Sequence, residues 1–315
     1  MALLRSGFLW ASQNDWLAGR LPRYGFARRA VRRFMPGETF DDALAAARRL
    51  GARNVGTVLT LLGEEVRDPA AARAVATHYR DAAARIASSG VDAELSVKPT
   101  HLGISVDPSL VDGIVLELAR AAETSGRKLW IDMEGSRWTD PTLALAGRAR
   151  SRTAGVGVCV QANLRRTEAD LEQLLPTGIS VRLVKGAYLE SSSIAYERKS
   201  DVDAAYLRLA ARMLEHARKA AVSAEGVVVA PRYAFGTHDA AMIGLLREAG
   251  VGRVPSCEIQ MLYGVRPAAQ RELAEAGVPL RILISYGDAW FAWYMRRLAE
   301  RPANVWFLMR SLVAR

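Results

Sequence analysis

The chain has 315 residues, of which 50% are hydrophobic and 24% charged, a balance that excludes a wholly disordered protein and allows a large core. Its two cysteines, Cys159 and Cys257, cannot build a disulfide framework or a Cys-rich zinc module, and they suit a reducing compartment. No apolar run reaches the ~20 residues a bilayer span needs.

The net charge is +10, unevenly placed. Residues 1–35 hold seven arginines against one acid, Asp15. An Arg-rich, acid-poor start resembles an organelle transit peptide, but it is read here as a retained segment. Its apolar residues, including Phe8, Trp10 and Trp16, fit one face of a helix with arginines opposite. Such a helix either docks on the protein or lies on an anionic membrane surface. Helices are expected over Phe8–Ala18, Ala27–Phe34 and Phe40–Leu50.

From Asn54 the chain alternates short Val/Leu/Ile-rich runs with longer amphipathic stretches. The runs read as strands buried on both faces. They are Asn54–Leu61, Ala93–Val97, Lys128–Asp132, Val156–Ala162, Ser180–Val184, Gly226–Ala230, Pro255–Gln260 and Leu280–Ser285. The helices between and after them read as Pro69–Ser88, Pro108–Ser125, Asp140–Ser151, Glu168–Leu175, Asp203–Ala221, Ala240–Ala249, Pro267–Ala276 and Ala289–Glu300. Asp107-Pro108 and Asp140-Pro141 look like capping acids before an N1 proline, and Thr167 precedes an acidic turn. Eight strand–helix pairs predict an α/β (β/α)8 TIM-type barrel over residues 54–315, preceded by a helical arm over 1–53. An open doubly wound sheet is the rival, but neither GxGxxG nor GxxxxGK[ST] occurs.

A barrel collects its chemistry at the carboxyl ends of its strands. Polar groups stand at all eight expected ends: Glu64; Lys98; Asp132 and Glu134; Gln161 and Asn163; Arg182 and Lys185; Thr237, His238 and Asp239; Glu258 and Gln260; Tyr286. Each has a plainer reading. Lys98 could be a surface lysine, Asp132 or Asp239 a cap, and Gln161 a partner for barrel-end backbone. The last helix adds Trp290, Trp293, Tyr294, Arg296, Arg297 and Glu300. Tyr294 and Arg297 share a face, and Arg296 and Glu300 are spaced to pair. Twin arginines suit a carboxylate ligand, although a basic solvated face has the same spacing.

With neither HExxH nor CxxC, no catalytic metal is expected. There is no GxSxG. Lys98 and Lys185 keep a Schiff-base aldolase open. The basic residues are spread over helices without an RNA-binding motif, so no nucleic-acid partner is expected.

Six segments together resemble the proline dehydrogenase family: Ser96-Val-Lys-Pro-Thr-His-Leu-Gly103, Ile131-Asp-Met-Glu134, Val181-Arg-Leu-Val-Lys-Gly-Ala-Tyr188, Phe235-Gly-Thr-His-Asp239, Glu258-Ile-Gln-Met-Leu-Tyr-Gly264 and Tyr294-Met-Arg-Arg-Leu-Ala-Glu-Arg-Pro-Ala-Asn304. The resemblance covers roughly Glu38 to Leu312, and the length suits the short stand-alone bacterial form. It implies oxidation of L-proline to Δ1-pyrroline-5-carboxylate by hydride transfer to N5 of an FAD held in a distorted barrel. Electrons would pass to a quinone, from a cytoplasmic protein peripheral to the cell membrane. A rival barrel flavoenzyme, such as a methylenetetrahydrofolate reductase relative, would need a long folate groove.

By position, the resemblance implies that Met133, Gln161, Arg182, Val184, Lys185, Gly186, Ala187, Thr237 and His238 contact the FAD. Lys98, Arg296 and Arg297 would hold the substrate carboxylate, with Glu300 fixing the arginines. Asp132, Tyr188, Leu262, Tyr286 and Tyr294 would shape the substrate pocket, and Asp132 and Arg182 would be catalytic. Pro99 after Lys98, Leu189 after Tyr188, and Cys257 and Ile259 around Glu258 depart from the family's expected pattern.

Overall fold

The computed structural model describes residues 20, 31–222, 230–291, 294 and 295. The first helix described in full, α1 (Phe40–Gly51), starts at a capping box in which Thr39 and Asp42 exchange hydrogen bonds. These bonds hold the Asp42 carboxyl below its ordinary range. Seven strand–helix units and a final strand follow: β1 (Gly56–Leu61), α2 (Pro69–Ser89), β2 (Ala93–Val97), α3 (Pro108–Glu123), β3 (Leu129–Ile131), α4 (Thr139–Arg150), β4 (Val156–Gln161), α5 (Thr167–Leu174), β5 (Ser180–Val184), α6 (Lys199–Val222), β6 (Tyr233–Gly236), α7 (Ala240–Glu248), β7 (Cys257–Leu262), α8 (Pro267–Glu275) and β8 (Leu280–Tyr286). The eight strands are parallel and close in sequence order, β8 pairing with β1 from Gly56↔Arg281 to Leu61↔Tyr286.

The strands are close to continuously buried, as a closed parallel sheet under a helical coat requires. Asp68 and Asp107 each accept a backbone hydrogen bond at a helix start that continues with Pro69 or Pro108. Three local expectations are corrected. The sixth strand is Tyr233–Gly236, not Gly226–Ala230; residues 226–229 lie outside the described residues, and Ala230 is not in a strand. The valines at 227–229 carry the stronger strand propensity; in the strand itself Tyr233, Ala234 and Phe235 have no exposed surface. Asp140 is not a cap, because a turn of 3-10 helix at Ser136–Trp138 starts the helical path early; its carboxylate pairs with Arg166 instead. Thr167 is itself helical, and its hydroxyl donates to the Gln161 carbonyl.

Helix α1 lies against β1 and β8. Phe40 sits edge-on to Tyr286, and Arg85 of α2 stacks over Phe40. The expected helix at Phe8–Ala18, residues 27–30, and most of the helix expected over Ala289–Glu300, including Trp293, Arg296, Arg297 and Glu300, lie outside the described residues. No described helix is long and apolar enough to cross a membrane.

The barrel interior is charged at its amino-terminal end. Glu94 has no exposed side chain and accepts from the Trp130 indole at 2.8 Å and from the Lys128 N–H at 3.0 Å, and it pairs with Arg232. Arg281 approaches both Glu94 and Glu258, at 3.6 and 3.5 Å, and donates to Asp92 at 2.9 Å. Burial opposes the Glu94 charge, but the Arg281 and Arg232 guanidinium groups outweigh it and hold the carboxyl below its ordinary range. Such a cluster is costly to desolvate, and each member is needed once the others are buried. Glu94→Gln should therefore lower unfolding free energy by about 3–5 kcal/mol, read by urea denaturation. A loss below about 1 kcal/mol would show that the cluster is not structural.

Candidate active site

Side-chain alternation decides what faces the barrel lumen. Val58, Trp130, Ala234 and Leu283 meet in its middle. Arg182 of β5 reaches inward across this level, with its side chain 3% exposed. Its guanidinium lies 5.0 Å from the Trp130 ring centroid. Its Nη2 donates to Ser96 Oγ at 2.8 Å and to Asp132, and its Nη1 donates to Gln260 Oε1 at 3.2 Å. Ser96 Oγ also donates to Asp132 Oδ1, at 2.9 Å. Gln260 is oriented by donating to Glu258 at 2.7 Å. Burial works against the Arg182 charge, but Asp132 outweighs it and the guanidinium stays firmly protonated. The structure thus brings Asp132 and Arg182 together in one buried ion pair just below the mouth. Ser96 and Gln260 complete it. Their signal in the sequence was parity: each stands two residues before a mouth residue, Lys98 or Leu262.

At the mouth, Lys98 donates to Glu64 at 3.1 Å, with its side chain 12% exposed, so it is not a surface lysine. The loop that carries it is clasped by Glu134. Thr100 donates to the Glu134 carboxylate through its N–H at 2.9 Å and its hydroxyl at 2.5 Å. The Thr100 hydroxyl in turn accepts from the Glu65 N–H at 3.1 Å. Gln161 donates its amide to the Glu134 carbonyl at 2.9 Å, the backbone-satisfying role weighed for it above. The loops after β1, β2 and β3 are therefore tied together around Thr100, which has no exposed surface. His101 packs beside them. A Cβ on Gly63 would lie 2.1 Å from its ring nitrogen, and burial lowers its imidazole to about 4. Thr100, His101 and the Glu64 and Glu134 roles are not legible from spacing, because each depends on a neighbour from another loop.

On the β5 side, Lys185 pairs with Asp203 and, at 3.5 Å, with Asp239. Asp239 caps α7, accepting from the Ala241 and Met242 N–H groups. Thr237 Oγ1 accepts from the Asp239 N–H, and His238 Nε2 bonds the Leu262 N–H at 3.4 Å. Gly186 has φ +103, and a Cβ there would sit 2.0 Å from Asn163 Oδ1. That Asn163 oxygen is buried without a hydrogen-bond partner. Gly186 thus packs directly on Asn163, a contact any side chain at 186 would block, and the unsatisfied Asn163 oxygen marks a polar position at this edge of the mouth. Together with buried Arg182 and Gln161, these residues fit a flavin ring.

Tyr188 is half-buried beside Gly135, and Glu190 fastens its loop by accepting from the Ser136 N–H and hydroxyl. Leu262 is half-buried at the end of β7, and Met133 and Val184 lie at the ends of β3 and β5. Ala187 is exposed beside them. Tyr294 is buried, its ring against Phe34 and Trp290, and burial pushes its hydroxyl up to about 12. Tyr286 is a correction. It points out of the barrel, bonds His78 at 2.8 Å and packs on Phe40, because Ser285 takes the inward position on β8. Cys257 and Ile259 also lie in the buried layer between strands and helices. The departures at 257 and 259 therefore touch helix packing, not the mouth. Arg296, Arg297 and Glu300 lie outside the described residues.

Burial is the main force on Glu134, and it raises the carboxyl from 4.5 to about 7 despite the Thr100 hydrogen bonds. The folded protein holds this proton more tightly than the unfolded chain does, so stability falls as pH rises through that window. Glu134→Gln keeps an acceptor for Thr100 and removes the titration. The stability of the parent relative to this variant should decline by about 2–3 kcal/mol between pH 4.5 and 7.5, measured by denaturation at each pH. Parallel pH profiles would contradict this.

The comparisons fit this geometry. The family model for proline dehydrogenase matches residues 43–310. Proline dehydrogenase 1 of Bacillus subtilis subsp. natto is 32% identical over 314 residues, covering 99% of both chains. The proline dehydrogenase of Deinococcus radiodurans is 30% identical over 293 residues, covering 89% of both. The solved structure of proline utilization A from Bdellovibrio bacteriovorus shares the fold with a TM-score of 0.77 at 21% identity, covering 95% of this chain and 36% of that longer one. With the family model spanning most of the barrel and full-length relatives above 30% identity, the chain belongs to the proline dehydrogenase family of oxidoreductases.

Proposed function

We propose that the chain binds FAD in the barrel mouth and oxidises L-proline to Δ1-pyrroline-5-carboxylate, passing the electrons to a quinone. The observation that carries this reading is the buried Arg182–Asp132 pair, braced by Ser96 and Gln260 beneath a rim that holds Lys98. Bound FAD would supply the two-electron acceptor, taking a hydride at N5. Met133, Gln161, Arg182, Val184, Lys185, Gly186, Ala187, Thr237 and His238 would hold it.

The chain's own groups position and polarise the substrate. Lys98, with Arg296 and Arg297, would grip the proline carboxylate, which competes with Glu64 for the Lys98 ammonium. Glu300 would fix the two arginines. Fixing the carboxylate turns a bimolecular encounter into an oriented one. Tyr188, Leu262 and Tyr294 would close over the ring and exclude water. Tyr286, turned outward, is left out of this set. Arg182 would keep a fixed positive charge where negative charge develops on oxidation, without reorganisation at that moment. Residues 54–315 would form the catalytic barrel. The basic residues 1–35 of the N-terminal arm would bring it to the anionic inner face of the cell membrane, where a quinone resides.

The visible spectrum of the purified protein tests this. A flavin absorbance should bleach when L-proline is added without oxygen. Tetrahydro-2-furoate, which keeps the ring and carboxylate but replaces nitrogen by oxygen, should perturb the spectrum without bleaching it. A colourless protein after FAD reconstitution, or a flavin that L-proline leaves oxidised, would overturn the reading.

A further inference from the structure

A second cationic site lies on the outside of the barrel, away from the mouth. Between α1 and α8 runs a groove of about 440 Å³. Five arginines line it: Arg32, Arg33, Arg49, Arg53 and Arg271. No Asp or Glu is among the lining residues. Leu50, Val55 and Ile282 add apolar lining.

Several surface arginines elsewhere carry carboxylate partners, while others, such as Arg67, Arg73 and Arg120, have no ion pair among the described residues; what sets this group apart is that its members line one concavity. Arg80 pairs with Glu117, Arg148 with Asp112, Arg166 with Asp140 and Asp170, and Arg212 with Glu168 and Glu172. Among the described residues, no carboxylate lies within 4 Å of the Arg49, Arg53 or Arg271 guanidinium groups, while Asp42 lies near enough to Arg32 to feel its charge. Gathering Arg49, Arg53 and Arg271 around one concavity costs electrostatic energy that a bound anion would offset. The chain's remaining segments are the wrong sign for that task. Residues 1–30 hold five arginines against Asp15, and residues 296–315 hold five against Glu300. Both add positive charge.

We propose that this groove binds a phosphate-bearing anion. Guanidinium forks match a tetrahedral oxyanion with two parallel N–H···O bonds each, and several forks around one cavity suit a dense charge better than a lone carboxylate. The anion is either a soluble phosphate ester or the headgroup of an acidic phospholipid. The proposal does not depend on the substrate chemistry of the mouth. The groove is nevertheless linked to it, because Gln270 in its wall donates to the Leu262 carbonyl at 2.9 Å, and Gly264 lies against the Arg33 carbonyl.

The test uses the full-length, FAD-loaded protein and an Arg49→Gln/Arg271→Gln double variant, neither position belonging to the catalytic set. Inorganic pyrophosphate is titrated calorimetrically at low salt. In parallel, vesicles of phosphatidylcholine with and without one quarter phosphatidylglycerol are co-sedimented with each protein. A matching melting temperature and proline turnover show that the variant is folded. The proposal expects at least a tenfold weaker affinity of the variant for one probe. Loss confined to pyrophosphate assigns a soluble phosphate ester. Loss confined to phosphatidylglycerol vesicles assigns a lipid headgroup. Binding that is equal in parent and variant, or absent with both probes, overturns the proposal. Vesicle binding that persists in the double variant would leave the membrane role of the N-terminal arm standing while removing the groove from it.

Discussion

One buried guanidinium organises the interior of this barrel. Arg182 is held by four groups from three other strands and their ends: Ser96 from β2, Trp130 from β3, Asp132 just beyond β3 and Gln260 from β7. A cation in so little solvent is stable only when its donors are filled and its charge is met. Asp132 meets the charge, Ser96 and Gln260 fill donors, and the Trp130 face covers the plane. Because these groups come from across the sheet, the cation can be satisfied only when the barrel is closed.

Below it, the Glu94, Arg232, Arg281 and Glu258 cluster carries the polarity down to the amino-terminal end. Glu258 belongs to both systems, since Gln260 donates to it while facing Arg182. A polar thread therefore runs through the lumen past its apolar middle layer of Val58, Trp130, Ala234 and Leu283, where many barrels fill this space with branched apolar side chains alone. The Glu134–Thr100 clasp holds the loop that carries Lys98, so the Lys98 ammonium and the Arg182 charge are set relative to each other by buried hydrogen bonds.

The eight-strand rhythm was legible because each strand is an apolar run of about the right length, and the helix starts at Pro69 and Pro108 carry plain capping chemistry. The mouth residues were legible as polar groups after those runs. What spacing could not show was the side a residue faces at a strand's last position. Tyr286 sits at such a place, and one step of register put it among α1 and α2. The sixth strand forms at Tyr-Ala-Phe-Gly, whose first three residues have no exposed surface, although the nearby run at 227–229 is richer in valine. Asp140 resembled a cap until the 3-10 turn before it extended the helix. The clasp at Thr100 joins three loops far apart in sequence, which no single segment reveals.

The central claim is that the buried Arg182 charge is what the fold offers to the bound cofactor. It is tested most directly by the midpoint potential of the protein-bound flavin in the parent, Arg182→Met and Arg182→Lys. Removing the charge should make reduction harder and lower the potential by about 30 mV or more, equivalent to about 1.4 kcal/mol for a two-electron couple, with Arg182→Lys recovering most of the difference. Flavin that stays bound in Arg182→Met at an unchanged potential would contradict the account.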